Sequence, residues 1–131
     1  MIAAGFGCRP SCSVADICAA LEAAVSGSGA SLADVRGWFG AEVAAAPALL
    51  EAARARGMPL VLLPLSLLHG SARGALTRSA RVLERFGLPS IAETAALAGV
   101  LELGASGSRL LAPRFACGAA TCALARPTEA A

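Results

Sequence analysis

The stretch MIAAGFGCRPSCSVAD, residues 1–16, indicates the fold. Its first six residues form an apolar run suited to a short strand, and Gly5 and Gly7 allow a tight turn after it. Ser13 and Asp16 have the S-x-x-D spacing of a helix capping box. The apolar residues that follow recur at helical intervals and predict one buried stripe: Val14, Ile17, Cys18, Leu21 and Val25. A strand, a turn and a helix in this order are typical of an α/β protein.

The remaining strands are predicted from apolar runs. Residues 35–39 form a weak second strand, and the continuous run 60–63 predicts a strand that is buried on both faces. Residues 109–116 and 119–125 predict a terminal hairpin around Gly118.

The predicted helices alternate with these strands. Pro47 favours the first turn of a helix through Arg56, in which Leu49, Leu50 and Ala53 are expected to face inward. A one-turn helix at 65–69 and a helix at 79–86 follow, separated by a polar stretch, 70–77, that we expect to be mobile. Ser90 and Glu93 form a second capping-box pattern, which opens an Ala-rich helix to about Ala98.

We therefore predict one domain, residues 1–126, followed by a disordered tail, 127–131. Its fold class is α/β: a three-layer α/β/α sandwich whose sheet is mostly parallel, with an antiparallel C-terminal hairpin.

Composition excludes several classes of protein. The chain has 131 residues, of which 56% are hydrophobic, yet its longest apolar stretch, 58–68, is interrupted by two prolines. That stretch is shorter than the roughly 20 residues that cross a bilayer, and no secretory signal pattern begins the chain. The net charge of +2 is too small for a nucleic-acid surface. We predict a cytoplasmic protein that binds neither membranes nor nucleic acid.

All 11 basic residues other than the histidine are arginines. A GC-rich codon bias would explain this and the alanine excess together. The alternative is recognition of carboxylates, which the guanidinium group binds with two parallel hydrogen bonds. Composition alone leaves both explanations open.

The five cysteines are an odd set and predict reduced thiols rather than a disulfide framework. The pairs Cys8/Cys12 and Cys117/Cys122 lack the CxxC spacing usual in zinc sites, so no metal is predicted. The only histidine, His69, is expected to be solvent-exposed rather than an acid or a base.

Ligands of such sheets bind beyond the carboxyl ends of the strands, where loops lead into helix N-termini. There the free amides before the first long helix and the charge of Arg9 favour an anion. Pro10 breaks the GxGxxG pattern and the chain has no lysine for a P-loop, so no cofactor is predicted. The predicted ligand-binding residues at the two helix starts are Gly5, Gly7, Cys8, Arg9, Ser11, Ser13, Ser90 and Glu93.

Several of these residues also have a purely structural interpretation. Ser90 and Glu93 are explained fully by helix capping. Cys8 could be a thiolate favoured by the helix dipole and Arg9, but no nearby base accompanies it, so we predict a structural role. Trp38 and Phe39 fit the core or an aromatic wall for a flat ligand, and Arg114 would face a sheet edge or a ligand.

Four stretches resemble the CobE proteins and the C-terminal domain of CbiG, a family of cobalamin biosynthesis. GFGCR (5–9), followed by Ser13, is similar to the family's N-terminal signature, and GLPSIAETAAL (87–97) resembles its G-x-P-S-V-A-E motif. Residues 49–60 and 120–126 are similar to its helix-to-strand segment and its closing strand. The chain departs from the family at Pro10-Ser11-Cys12, at Ala46 where an acid often stands, and at Arg114 where a lysine is usual.

The resemblance implies the same three-layer fold and work on corrin-ring intermediates near the precorrin-5 stage. Full-length relatives open a lactone with the help of an additional N-terminal domain, whereas the standalone form looks like an accessory protein. A precorrin-type tetrapyrrole, a flat ring fringed by carboxylates, is therefore the predicted partner. The alternatives are a hydrolase acting on the cobalt-precorrin-5A lactone and a structural partner of a pathway methyltransferase.

Overall fold

A computed structural model describes residues 1–128 as a six-stranded sheet with helices on both faces. The strands follow in chain order: β1 Ile2–Cys8, β2 Val35–Ala41, β3 Leu60–Leu63, β4 Ser108–Leu110, β5 Phe115–Cys117 and β6 Ala120–Pro127. Their order in the sheet is β3-β2-β1-β6-β4, and β5 pairs with β6. Within the described part of the chain, β6 alone runs opposite to the other strands, because it pairs antiparallel with β1, β4 and β5 while β1, β2 and β3 are parallel. The predicted fold class is confirmed.

The helices cover the two faces of the sheet. They are α1 Val14–Gly27, α2 Pro47–Ala55, α3 Leu65–Gly70, α4 Ala80–Phe86 and α5 Ile91–Glu102. Helices α1 and α2 pack over one hydrophobic core, and α5 lies over the other with α3 beside it. None of these helices is long and apolar enough to cross a bilayer.

Helix α1 begins as the sequence predicts. The Ser13 hydroxyl accepts a hydrogen bond from the Asp16 amide at 3.0 Å, and the Asp16 carboxylate accepts one from the Ser13 amide at 3.2 Å. The buried positions are Ile17, Ala20, Leu21 and Ala24. Val14, Cys18 and Val25, predicted on the buried stripe, are only partly buried, because Ala20 and Ala24 complete the face that meets the sheet.

Two predictions of buried side chains, one on β3 and one on α2, are wrong. Val61 is 46% exposed, because β3 is an edge strand with β2 on one side only. Leu50 is also 46% exposed, since α2 turns Leu49, Ala52 and Ala53 toward the core instead. A continuous apolar run in this sequence can therefore belong to an edge strand as well as to a central strand of the sheet.

Helix α5 is buried on every side from Ile91 to Val100 and continues to Glu102, four residues beyond the predicted end. It lies close to the sheet because β1 and β6 present small residues to it. A Cβ atom on Gly5 would overlap the backbone of Ala92 and Ala96. Gly5 is therefore required by the contact between β1 and α5.

Residues 127 and 128 are bound to the neighbouring strand segment, beyond the predicted domain boundary at 126. Pro127 pairs with Ser108, and the Thr128 amide donates to the Gly107 carbonyl at 3.1 Å. The rest of the predicted disordered tail, 129–131, lies outside the described residues.

Candidate ligand-binding cleft

A cleft of about 460 Å³ opens where the parallel strands end. Its lining comes from the turn after β1, the segment between β2 and α2, helix α4, the first residue of α5 and the β5–β6 hairpin. This position, beyond the carboxyl ends of parallel strands, is the one predicted from the sequence. The volume falls within the roughly 300–1,000 Å³ of small-molecule sites.

Four arginines and no acidic residue line the cleft: Arg9, Arg81, Arg85 and Arg114. Arg9 follows β1, and Arg114 precedes β5. Arg81 and Arg85 are four residues apart on α4 and therefore share one face of that helix. Within residues 1–128, the side chains of Arg9, Arg81 and Arg114 make no ion pair. The arrangement creates a positive site for a ligand with several carboxylates.

The remainder of the lining is largely apolar. Val43, Pro47, Val82, Phe86 and Ile91 contribute side chains to it. The guanidinium carbon of Arg85 lies 5.3 Å from the centre of the Phe86 ring, so a cation and an aromatic face adjoin. A lining that combines apolar side chains with cations suits a ligand with a flat hydrophobic body and charged substituents.

The turn that carries Arg9 is fixed to the neighbouring hairpin. The Arg9 amide donates to the Ala119 carbonyl at 3.0 Å, and the Cys12 amide donates to the Arg9 carbonyl at 2.9 Å. Gly7 lines the cleft near the start of α5, where a Cβ would lie 3.8 Å from the Cβ of Ile91. The end of β1 and the start of α5 therefore lie next to each other in the cleft wall.

The N-terminus of α1 does not contribute to this cleft. Ser11 and Ser13 are exposed and are not among the lining residues. The Asp16 carboxylate binds the amides of Ser13 and Ala119, and these hydrogen bonds lower the pKa of Asp16 below its ordinary value. A carboxylate of the protein already occupies the position that the sequence assigns to a ligand anion, so the cations of the cleft are the better anion site.

Cys8 lies in the cleft wall but is not activated. Burial, and then the neighbouring Cys12, raise the pKa of the Cys8 thiol to about 12. Because the thiolate is the nucleophilic form, this environment opposes the alternative in which Arg9 and a helix dipole activate Cys8. The structure favours the predicted structural role.

The start of α5 differs from the predicted capping box. The Ser90 hydroxyl accepts from the Glu93 amide at 3.2 Å, which forms half of the box. The Glu93 carboxylate instead accepts three hydrogen bonds, each 2.9 Å long, from the amides of Leu76, Thr77 and Arg114. Within the stretch 70–77, which the sequence predicts to be mobile, the amides of Leu76 and Thr77 are thus bound to Glu93. Ser90 and Glu93 are both buried and do not line the cleft.

The aromatic residues of β2 belong to the core and not to the cleft. Trp38 is fully buried with its ring centre 4.6 Å from that of Phe6, and Phe39 is 2% exposed. His69 is exposed, as predicted. No group of histidine, cysteine or acidic residues suited to a metal ion occurs within residues 1–128.

The predicted site residues thus separate into two groups. Gly7, Cys8 and Arg9 line the cleft, whereas Gly5 faces α5 and the other predicted residues, Ser11, Ser13, Ser90 and Glu93, do not line it. Sequence reasoning missed Arg81 and Arg85. Their four-residue spacing on the predicted helix 79–86 was the available signal.

A larger cavity, about 670 Å³, lies at the opposite end of the sheet, beside Met1 and the segment 28–31. Its charged side chains are Asp34 and Arg126, one of each sign. It lies at the start of β1, away from the carboxyl ends of the parallel strands where ligands of such sheets bind. The arginine-lined cleft is therefore the candidate site.

The comparison with protein families identifies the chain. The family described as the C-terminus of cobalamin synthesis protein G matches residues 2–125. The chain belongs to this family. The predicted resemblance to CobE and to the C-terminal domain of CbiG is thereby confirmed.

Solved structures agree with the family assignment. CobE, a protein from the cobalamin (vitamin B12) biosynthetic pathway, is 32% identical with a TM-score of 0.92, and the match covers 100% of this chain and 93% of CobE. The cobalamin biosynthesis protein chiG from Agrobacterium tumefaciens is also 32% identical, with a TM-score of 0.74 over 98% of this chain and 100% of chiG.

A third structure shares only the fold. It is described as a homologue of cobalamin biosynthesis protein G from Sulfolobus solfataricus, with 14% identity and a TM-score of 0.67. The match covers 95% of this chain but 36% of that larger protein. A comparison with curated protein sequences found no match.

Proposed function

We propose that this member of the cobalamin synthesis G family binds a precorrin-type tetrapyrrole in the arginine-lined cleft. The observation that carries the proposal is a lining that combines four arginines and no acidic residue with several apolar side chains. A precorrin is a flat macrocycle fringed by carboxylates. Guanidinium groups bind carboxylates with charge-assisted hydrogen bonds, and the apolar lining would contact the ring.

The family resemblance supports a proposal for the stage and the role. We propose an intermediate near precorrin-5, and an accessory role in which the protein holds the intermediate without converting it. The high pKa of Cys8, about 12, supports binding over nucleophilic chemistry by that residue. A pathway methyltransferase is the proposed protein partner. Five cysteines without a disulfide fit a reducing compartment, so we propose the cytoplasm.

Titration with purified precorrin intermediates, followed by absorbance, tests the proposal. Arg9→Ala removes a charge-assisted hydrogen bond worth about 1.5–3 kcal/mol, so binding should weaken roughly ten- to a hundred-fold. Arg36→Ala is the matched control, because Arg36 is an exposed arginine near the start of β2 and outside the cleft. Its affinity should equal that of the wild-type protein.

The outcomes separate the candidate functions. Binding without turnover supports the accessory role, and turnover by the isolated chain identifies a hydrolase acting on the ring lactone instead. If the protein neither binds nor converts any intermediate, the result supports a structural partner of a pathway methyltransferase. An Arg9→Ala variant that binds as tightly as wild type means that the cleft is not the site.

A further inference from the structure

The Glu93 carboxylate joins three segments of the chain at one buried point. It projects from the first turn of α5, and its Oε1 atom accepts from the amides of Leu76 and Thr77 at 2.9 Å each. Its Oε2 atom accepts from the amide of Arg114, also at 2.9 Å. Leu76 and Thr77 lie just before α4. Arg114 is itself one of the arginines that line the cleft.

Both segments held by Glu93 supply cations to the cleft. Helix α4, which begins three residues after Thr77, carries Arg81 and Arg85. Glu93 is 0% exposed and is not a lining residue, so it does not reach the ligand position. Since α5 is buried on every side, it provides a fixed base for these contacts.

We infer that Glu93 is a positioning residue, which sets the distance between Arg114 and the α4 arginines and thereby the affinity for a polycarboxylate ring. This inference rests on the proposed function. Half of the predicted capping box is absent because the carboxylate is committed to these two segments.

Only a carboxylate satisfies all three amides. A glutamine at this position would keep one oxygen acceptor and replace the other with an NH₂ group, which is a donor. Its oxygen would be expected to face the two amides of Leu76 and Thr77. The NH₂ group would then face the Arg114 amide, and this donor–donor contact would release the Arg114 segment while the α4 segment stays bound.

A double-mutant cycle tests the inference with precorrin intermediates and with uroporphyrin, a stable polycarboxylate porphyrin, as the probe. Arg114→Ala and Glu93→Gln should each weaken binding, roughly ten- to a hundred-fold for the first and no more than that for the second. The double variant should bind no more weakly than Arg114→Ala alone, because both substitutions remove the contact between the Arg114 side chain and the ligand. Glu93→Gln combined with Arg9→Ala should give the product of the two single losses.

If Glu93 had a purely structural role, its substitution would combine with Arg114→Ala in the same way as with Arg9→Ala. Wild-type affinity in Glu93→Gln, or losses that multiply with those of Arg114→Ala, would overturn the inference. If Glu93→Gln does not fold, Glu93→Asp keeps the charge, shortens the side chain by one methylene and enters the same cycle.

Amide hydrogen exchange in the ligand-free protein separates this inference from the proposed function. In the wild-type protein the amides of Leu76, Thr77 and Arg114 should be protected, and Glu93→Gln should speed exchange at Arg114 most. Arg9→Ala should leave all three rates unchanged. Unprotected amides in the wild type, or an unchanged rate at Arg114 in Glu93→Gln, refute the positioning role. A wild-type protein that binds neither tetrapyrrole refutes the proposed function.

Discussion

Replacing Gly5 with alanine should destabilise the protein by about 1–3 kcal/mol, the usual cost of overpacking a core. The added Cβ would overlap backbone atoms of Ala92 and Ala96, and it would lie 2.9 Å from the Ala96 Cα. Rotation of a side chain cannot relieve a contact with backbone. Helix α5 must therefore move away from β1, although it is buried on every side.

Thermal unfolding followed by circular dichroism measures this loss. For a chain of 131 residues, each 1 kcal/mol corresponds to about 4 °C, so the midpoint should fall by roughly 4–12 °C. Gly70→Ala is the control: Gly70 ends α3, its φ is not positive, and nothing lies within 4 Å of the added Cβ. Its stability should change by no more than about 0.5 kcal/mol. Equal midpoints for the two variants would mean that β1 and α5 do not pack as closely as described.

Two further predictions concern ionisable groups near the cleft. Cys8→Ser should leave tetrapyrrole affinity and pathway flux nearly unchanged, because the pKa of about 12 keeps the thiol protonated at neutral pH; complete loss of flux in a folded variant contradicts this. Asp16→Asn should lower the unfolding midpoint above about pH 5. Because the folded pKa of Asp16 lies below its ordinary 3.8, the wild-type advantage should decline as the pH falls below 3.8 and through the folded pKa. An advantage that is independent of pH would show that the Asp16 charge contributes nothing.

The features predicted correctly depend on residues close together in the chain. The Ser13 cap joins residues three positions apart, and the strand and the helix α1 follow from local spacing, although β1 continues through Gly5 and Gly7, where the sequence predicts a turn. The family motifs are local as well, and they predicted the family that the comparison confirms.

The features missed depend on which segments meet in space. The partners of Glu93 lie 16, 17 and 21 positions away, so an S-x-x-E spacing alone could indicate only a cap. The exposure of Val61 depends on strand order, which hydrophobicity does not specify. Arg81 and Arg85 lie on a helix that was predicted, but the sequence does not indicate that this helix faces the end of β1.

The antiparallel pairing of β1 with β6 joins the two ends of the sequence at the middle of the sheet. Gly7 and Thr121, which are paired in this register, are 114 positions apart. During synthesis by the ribosome, β1 can pair with β2 early, but its other edge stays open until β6 has emerged. Pairing over such a separation is slow. Final folding, and with it the assembly of the cleft around Arg9, should therefore occur only after translation of the last strand.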